Sequence, residues 1–201
     1  VLGKLKASEW FITEPKTKVE RDIARDMVKT LHYSGTCPPA FTHVYCLFRH
    51  DAPERLMGVA WWKAPMPNAA KSVARHCGTD PKLVSDLSRL AIHPDAPTNA
   101  ASFLIGRSIR HFRQEKKYQA LVSWADAFEG HTGQIYKATN WEYLGQEKRQ
   151  RRVWVDAEGR RVSTAQGHKK NLTIKQMEEL GARVAGWSSK HKFVICLKRR
   201  S

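Results

Sequence analysis

The sequence predicts an α/β (α+β) fold, a mixed central β-sheet with a βαβ crossover and flanking helices. Three observations lead there. Residues 87–93 (LSRLAIH) and 120–126 (ALVSWAD) read as apolar strands, and 99–117 between them reads as a long helix. Two strands joined in this way run parallel in one sheet. Upstream, an amphipathic helix precedes two apolar runs separated only by HDAPER, the pattern of a hairpin. Finally, 201 residues suffice for one sizeable domain with a real core. The expected organisation is a single domain, 1–201, carrying a basic hairpin or insertion at about 146–170.

Each element has its own signal. Over Lys18–His32, Val19, Ile23, Met27 and Leu31 repeat every four residues with charges between them, an amphipathic helix for which Gly35 is a plausible terminator. Thr36-Cys37-Pro38-Pro39 follows as a rigid loop. Strands are expected at His43–Arg49 and Leu56–Trp62, then a Pro/Ala-rich excursion over 64–81. Thr98 or Asn99 caps the long helix. A short helix is expected over 132–139 and a strand begins at Glu142. Lys148–Arg161 reads as a basic hairpin turning at Asp156-Ala157-Glu158-Gly159. Thr173 with Gln176 forms a capping-box pattern for a helix over 173–180, and 192–198 (KFVICLK) closes the chain as a strand.

Charge narrows the partners. The chain carries 35 Lys and Arg against 19 Asp and Glu, a formal +16. Such an excess attracts polyanions, with nucleic acid as the favoured partner and a solubilising surface as the plainer reading. The densest basic stretch holds Lys148, Arg149, Arg151, Arg152, Arg160, Arg161, Lys169 and Lys170, a set expected to contact DNA phosphates. Trp61 and Trp62 end a strand beside a basic loop. One is expected in the core, the other free to stack on a base. Cys37, Cys46, Cys77 and Cys196 form no CxxC pair, so neither a disulfide framework nor a zinc finger is expected, and a reducing cytoplasm is the default location. No apolar run reaches the ~20 residues of a membrane span, and the first residues lack the apolar segment of a secretory signal.

The chemistry is expected at the carboxyl ends of the parallel strands, where open sheets bind ligands. Asp126 ends its strand there, either as a turn or cap aspartate or as a carboxylate at the cleft floor. His131 follows between Gly130 and Gly133, and Tyr136 comes back from the next helix, either as a core tyrosine or as an acid. Arg89 lies inside a strand, where an unpaired charge is costly. It therefore meets an anion: a phosphate, a donor carboxylate, Asp86 or Asp126. The adjacent His32 and Tyr33, with Asp126, would make a mixed nitrogen and oxygen set suited to iron rather than structural zinc. Cys37 is a weaker additional ligand.

Four strings carry a resemblance: HYSGTCPP (32–39), GVAWW (58–62), LSRLAIHPDAPTNAASFLIGRSI (87–109) and WADAFEGHTGQIYKATNWEYLG (124–145), with SKHKFVICL (189–197) beside them. Over roughly residues 30–197 the chain resembles the GNAT acyltransferase fold and, more closely, the Mom family of phage DNA-modification proteins. The resemblance implies conversion of adenine in double-stranded DNA to N6-carbamoylmethyladenine, on a flipped base, shielding phage DNA from host restriction enzymes within the host cytoplasm. It implies a catalytic role for Tyr136, which in GNAT-like folds protonates the leaving group. It places Thr98, Asn99, Ala100, Ala101 and Ser102 where related folds hold the pyrophosphate of an acyl-CoA donor. This loop departs from that pattern because it has no glycine, and the group donor is left unidentified. A direct acyl transfer puts a carbonyl carbon on N6, whereas carbamoylmethyl puts a methylene there. Two other readings compete: an ordinary N-acetyltransferase acting on a small or protein amine, and a non-catalytic DNA-binding protein.

Overall fold

The computed structural model describes residues 3–164 and 172–197. In chain order its elements are β1 (Trp10–Thr13), α1 (Lys18–Leu31), β2 (His43–Arg49), β3 (Gly58–Lys63), α2 (Pro67–Cys77), β4 (Val84–Ile92), α3 (Ala100–Glu115), β5 (Ala120–Asp126), α4 (Gln134–Lys137), β6 (Glu142–Gln146), β7 (Arg151–Val155), α5 (Ile174–Glu179), β8 (Arg183–Ser188) and β9 (Lys190–Cys196). Seven strands form one sheet in the order β1-β2-β3-β4-β5-β9-β6, and β7 pairs with β8 as a separate ribbon. The β4–β5 pair is parallel, as expected of strands joined by α3. The other pairings are antiparallel.

Helices cover both faces of the large sheet. On one face α3 buries Ala100, Leu104, Ile105, Ile109 and Phe112 against Tyr45, Ala60, Trp62, Leu87 and Leu121. On the other, α1 sets Ala24 and Val28 on Val44, Val59 and Trp61, while α2 sets Val73 and Ala74 on Val84, Val122 and Val194. Side chains alternate along a strand, so consecutive tryptophans enter opposite layers. Trp61 and Trp62 are both fully buried. The expectation that one of them is free to stack on a base is therefore wrong.

Other expectations change as well. In α1 the four-residue spacing of Val19, Ile23, Met27 and Leu31 drifts about 40° per step around a helix of 3.6 residues per turn. That row leaves the core, with Val19 and Ile23 exposed, and Ala24 and Val28 do the packing. The Pro/Ala-rich excursion contains α2, with Pro67 at its first turn, where proline's missing N–H costs nothing. The basic segment turns where expected, with the Gly159 amide donating to the Asp156 carbonyl. The far arm returns beside β7, with Val155 bridged to Arg161 and the Val162 amide donating to the Trp154 carbonyl at 2.9 Å, and β7 also forms a longer ladder with the distant β8, which was not expected. Cys77 and Cys196 form a disulfide with their Cα atoms 5.3 Å apart, against the expectation of none. No helix among the described residues is long and apolar enough to cross a membrane.

Candidate functional site

The site begins where two strands part. β4 and β5 pair only over Val84–Leu87 and Ala120–Ser123. Beyond that, β4 stays with β3, while β5 follows β9 until Asp126 stands opposite Lys190. Ser88 is an extra residue at the fork, because Trp62 pairs with Leu87 and Trp61 with Arg89. Such a bulge bends the strand and re-aims its side chains. The fork opens a cleft of about 780 Å³. Leu31 to Tyr33 at the end of α1, Met66 and Ala69 near the start of α2, Ser88 and Arg89 on β4, Trp124 on β5 and Gly130 to Tyr136 line it, with Lys63, Arg151 and Lys190.

A hydroxyl pair stitches the fork. Ser123 Oγ lies 2.9 Å from the Leu87 carbonyl oxygen and 2.8 Å from Tyr136 Oη. A serine has one hydrogen, and the carbonyl can only accept. When Ser123 donates to Leu87, Tyr136 donates to Ser123. Burial pushes the Tyr136 phenol up to about 12, opposed by the Ser123 hydrogen bond, so it carries its proton at neutral pH. The glycine turn delivers this helix. Gly133 has φ +76°, and a Cβ there would come within 2.1 Å of the Phe193 ring. Only glycine fits that backbone.

Asp126 is nearly inaccessible, at 1% exposure, and the residues around it account for the geometry. Its Oδ1 accepts from Ser188 Oγ and from the Phe128 amide at 3.1 Å, and its Oδ2 lies 3.0 Å from Arg161 Nη1. Burial pushes this carboxyl upward, but the Ser188 hydroxyl, Arg161 and the Phe128 amide outweigh it and hold the pKa below the usual range. Asp126 thus stands behind the cleft wall as cap and ion-pair anchor, not at the cleft floor. Arg161 makes a second ion pair, at 2.6 Å, with Glu129, and its guanidinium lies 5.0 Å from the Tyr33 ring centre. Tyr33 in turn lies tilted against His32, with centroids 4.3 Å apart, and meets His131 edge-on at 5.6 Å.

The sequence therefore brought His32, Tyr33, Asp126, His131 and Tyr136 to one region. The iron expectation fits less well. His32 Nδ1 accepts the Ser34 amide at 3.2 Å, which leaves the proton of the neutral ring on Nε2, the nitrogen a metal would need. Burial, then Arg89, His131, Lys190 and Arg161, lower the His32 pKa to about 3. Burial raises the Tyr33 phenol to about 12, and Asp126 is already paired. No group of three His, Cys, Asp or Glu side chains that could hold a metal ion occurs among the described residues. As arranged, the set does not fit a resident ion. Cys37 is half-buried, and burial lifts its thiol to about 11.

Among the described residues Arg89 forms no ion pair with a carboxylate. It donates to the Thr36 carbonyl at 2.8 Å and to the Ser88 carbonyl at 2.7 Å, fixing the loop after α1 while its charge faces the cleft. Thr98–Ser102, the expected phosphate loop, do not line this cleft. Asn99 Oδ1 instead accepts the Leu5 amide at 2.6 Å, so the N-terminal segment occupies the start of α3.

The basic set divides. Arg161 is internal and holds Asp126 and Glu129, and Arg160 is paired within its turn to Asp156 and Glu158. Arg161 is thereby withdrawn from solvent, whereas Arg160 remains largely exposed. Lys148 and Arg149 are exposed, Arg151 lines the cleft, and Arg152 lies over the exposed Trp187 ring at 5.5 Å. Lys169 and Lys170 fall outside the described residues. Sequence reasoning missed Lys63, Trp124 and Lys190 as cleft residues, and took Asp86 only as a partner for Arg89. Pairing register was the missing signal: the fork, not any local motif, turns these positions toward one another.

Comparison with known proteins places the family and the fold. The model of the Mom protein family matches residues 16–201. A protein of Escherichia phage Mu named methylcarbamoylase mom is 28% identical over 126 residues, 61% of this chain and 50% of the relative. The match thus spans about half the length of that curated relative. Among solved structures, a GNAT-family acetyltransferase from Bacillus anthracis aligns with TM-score 0.55 at 9% identity, covering 97% of this chain and 99% of the other. The ribosomal-protein-S18-alanine N-acetyltransferase from Escherichia coli aligns with TM-score 0.53 at 9% identity over 96% of each chain. These likenesses establish a GNAT-like fold.

Proposed function

Because the chain belongs to the Mom protein family, we propose that it is a phage DNA-modifying transferase that converts adenine in double-stranded DNA to N6-carbamoylmethyladenine and so protects that DNA from restriction. The observation that carries this reading is the forked cleft: a concave site rimmed by Arg89, Arg151 and Lys190, with a protonated tyrosine at its floor. A basic rim attracts the phosphodiester backbone. A base extruded from the duplex, at a cost of a few kcal/mol, fits a cleft of this size better than a helix end does. Trp124 offers the aromatic face that neither Trp61 nor Trp62 can present.

In the proposed reaction the adenine amine attacks a carbon of the donor, whose leaving group departs with the bonding electrons. Tyr136, protonated and held by Ser123, supplies the proton that group needs. His32 is neutral at physiological pH and presents an N–H donor. Arg89 and Lys190 hold negative charge. An acyl-CoA donor is disfavoured because Leu5 occupies the start of α3. Iron is carried as a proposal from the sequence. Stoichiometric metal in the purified protein, lost in His32→Ala, would support it and would require Asp126 to leave Arg161.

Mass spectrometry of nucleosides from DNA of cells expressing the protein tests the reading. N6-carbamoylmethyladenine is expected. Unmodified adenine beside tight DNA binding would favour a binding protein, and acetyl-CoA turnover without DNA an ordinary acetyltransferase.

A further inference from the structure

Asp86 stands on β4 at the last turn of the sheet before the fork, opposite Lys63 on β3 and Val122 on β5. It is 6% exposed yet lines the cleft. Its Oδ2 lies 3.4 Å from Lys63 Nζ, and its Oδ1 is buried with no hydrogen-bond partner. A buried carboxylate oxygen without a donor is costly, and folded proteins rarely leave one so. A carboxylate serving only as an ion-pair partner would have both oxygens satisfied, as Asp126 has. Lys63 is held in turn, donating to the Ala64 carbonyl at 3.2 Å.

We propose that Asp86 is the catalytic proton acceptor for the amine modified in this cleft, and that Lys63 is its positioning residue. The proposal rests on the adenine reading above. An exocyclic amine carries two N–H groups, and Oδ1 lacks one. As the nitrogen forms its bond to an activated donor carbon, the bond from that carbon to its leaving group breaks, and the leaving group takes the electron pair. The proton shed by nitrogen passes to Asp86 Oδ1 and then to solvent. No electrons are gained or lost overall.

The surroundings suit a base. Burial raises the Asp86 carboxyl to about 6, while Lys63, Arg89 and Lys190 pull it down. Tyr136 on α4 also feels Asp86; His32, Tyr33, His131, Glu147 and Arg151 line the same cleft, and Met66 and Ala69 on α2 and Trp124 on β5 bring no charge. A base of this kind is ionised at neutral pH and more basic than an exposed aspartate.

Two measurements test the assignment. In cells, Asp86→Asn should lower modified adenine on the order of 10²-fold or more, Asp86→Glu should restore part of it, and both should keep wild-type DNA affinity. In the purified protein, the Asp86 carboxyl carbon followed by NMR should titrate near its elevated value and move to higher pH in Lys63→Met, because a cation that lowers it has gone. A wild-type protein that leaves adenine unmodified overturns the adenine reading. A wild-type protein that modifies adenine beside an equally active Asp86→Asn overturns the Asp86 assignment alone. Should Asp86→Asn fail to accumulate, an Asp86→Glu variant without activity, or a Lys63→Met carboxyl that titrates unchanged, overturns it equally.

Discussion

Two aspartates sit within one fork and are buried to a similar degree, Asp126 at 1% and Asp86 at 6% exposure. Asp126 receives a hydroxyl, a backbone amide and a guanidinium, and its pKa falls. Asp86 receives one ammonium at 3.4 Å, keeps an orphaned oxygen, and its pKa rises to about 6. Solvent exposure is alike in the two, but Asp86 lies deeper among protein atoms and receives fewer donors, and the two effects together set the opposite directions. Carboxylates driven apart in this way divide the labour of a site: the saturated one holds shape, and the unsaturated one remains available for proton transfer.

If that division is right, removing the saturated member should do the most damage. Asp126→Ala leaves Arg161 buried beside only Glu129 and frees the Tyr33 stack. A loss of roughly 3–5 kcal/mol of stability is expected, read by chemical denaturation, together with loss of modified adenine. The pH dependence has opposite signs at the two sites. The Asp126 contribution is complete above the unfolded carboxyl value near 3.9 and is lost as pH falls through its lower folded value. Asp86 acts the other way: its folded form favours the proton, so stability falls as pH rises from about 4 through about 6. Melting temperatures across that window should therefore decline less steeply in Asp86→Asn than in the wild type. Parallel curves would remove the distinction between the two carboxyls.

Next comes Tyr136→Phe, which deletes one hydroxyl and leaves Ser123 its bond to Leu87. Modified adenine should fall on the order of 10²-fold with stability changed by only about 1 kcal/mol, and near-normal modification would return Tyr136 to a packing role. Gly133→Ala tests the turn that presents it. The added carbon meets Phe193 and a left-handed backbone together, so a loss of roughly 1–3 kcal/mol is expected in a thermal melt. The smallest effect belongs to the basic rim of the fork and the ribbon beside it. Charge reversal at Arg151 and Arg152 should weaken DNA binding broadly across sequences and flatten its salt dependence, whereas an unchanged salt titration would move the phosphate track elsewhere.

Much of this was legible in the sequence because it is local. The capping boxes at Thr17–Glu20 and Thr173–Gln176 both form, the second as the sequence analysis expected, and the β2–β3 hairpin and the parallel β4–β5 pair stand where expected. Asp126, His131 and Tyr136 could be grouped because ten residues of turn and helix carry them. The rest depended on distant pairing. Lys190 reaches the cleft because β9 inserts beside β5, and Arg161 is held inward by Asp126 and Glu129, which lie more than thirty residues before it. No spacing within 148–161 distinguishes the arginine that binds Asp126 from those that face solvent. Trp61 and Trp62 misled because adjacency in sequence means opposite faces in a strand.

The position of β9 has a consequence for how the chain is made. It is the last of the described strands to leave the ribosome, yet it is hydrogen-bonded on both sides, to β5 and to β6. Until it arrives, β5 presents an open apolar edge and β6 has no neighbour in the sheet. Unpaired edges of that kind recruit other chains. A message cut short just before Lys190 would therefore yield sticky, self-associating polypeptide, and a full-length nascent chain would need shelter for its first five strands until the final one slots home.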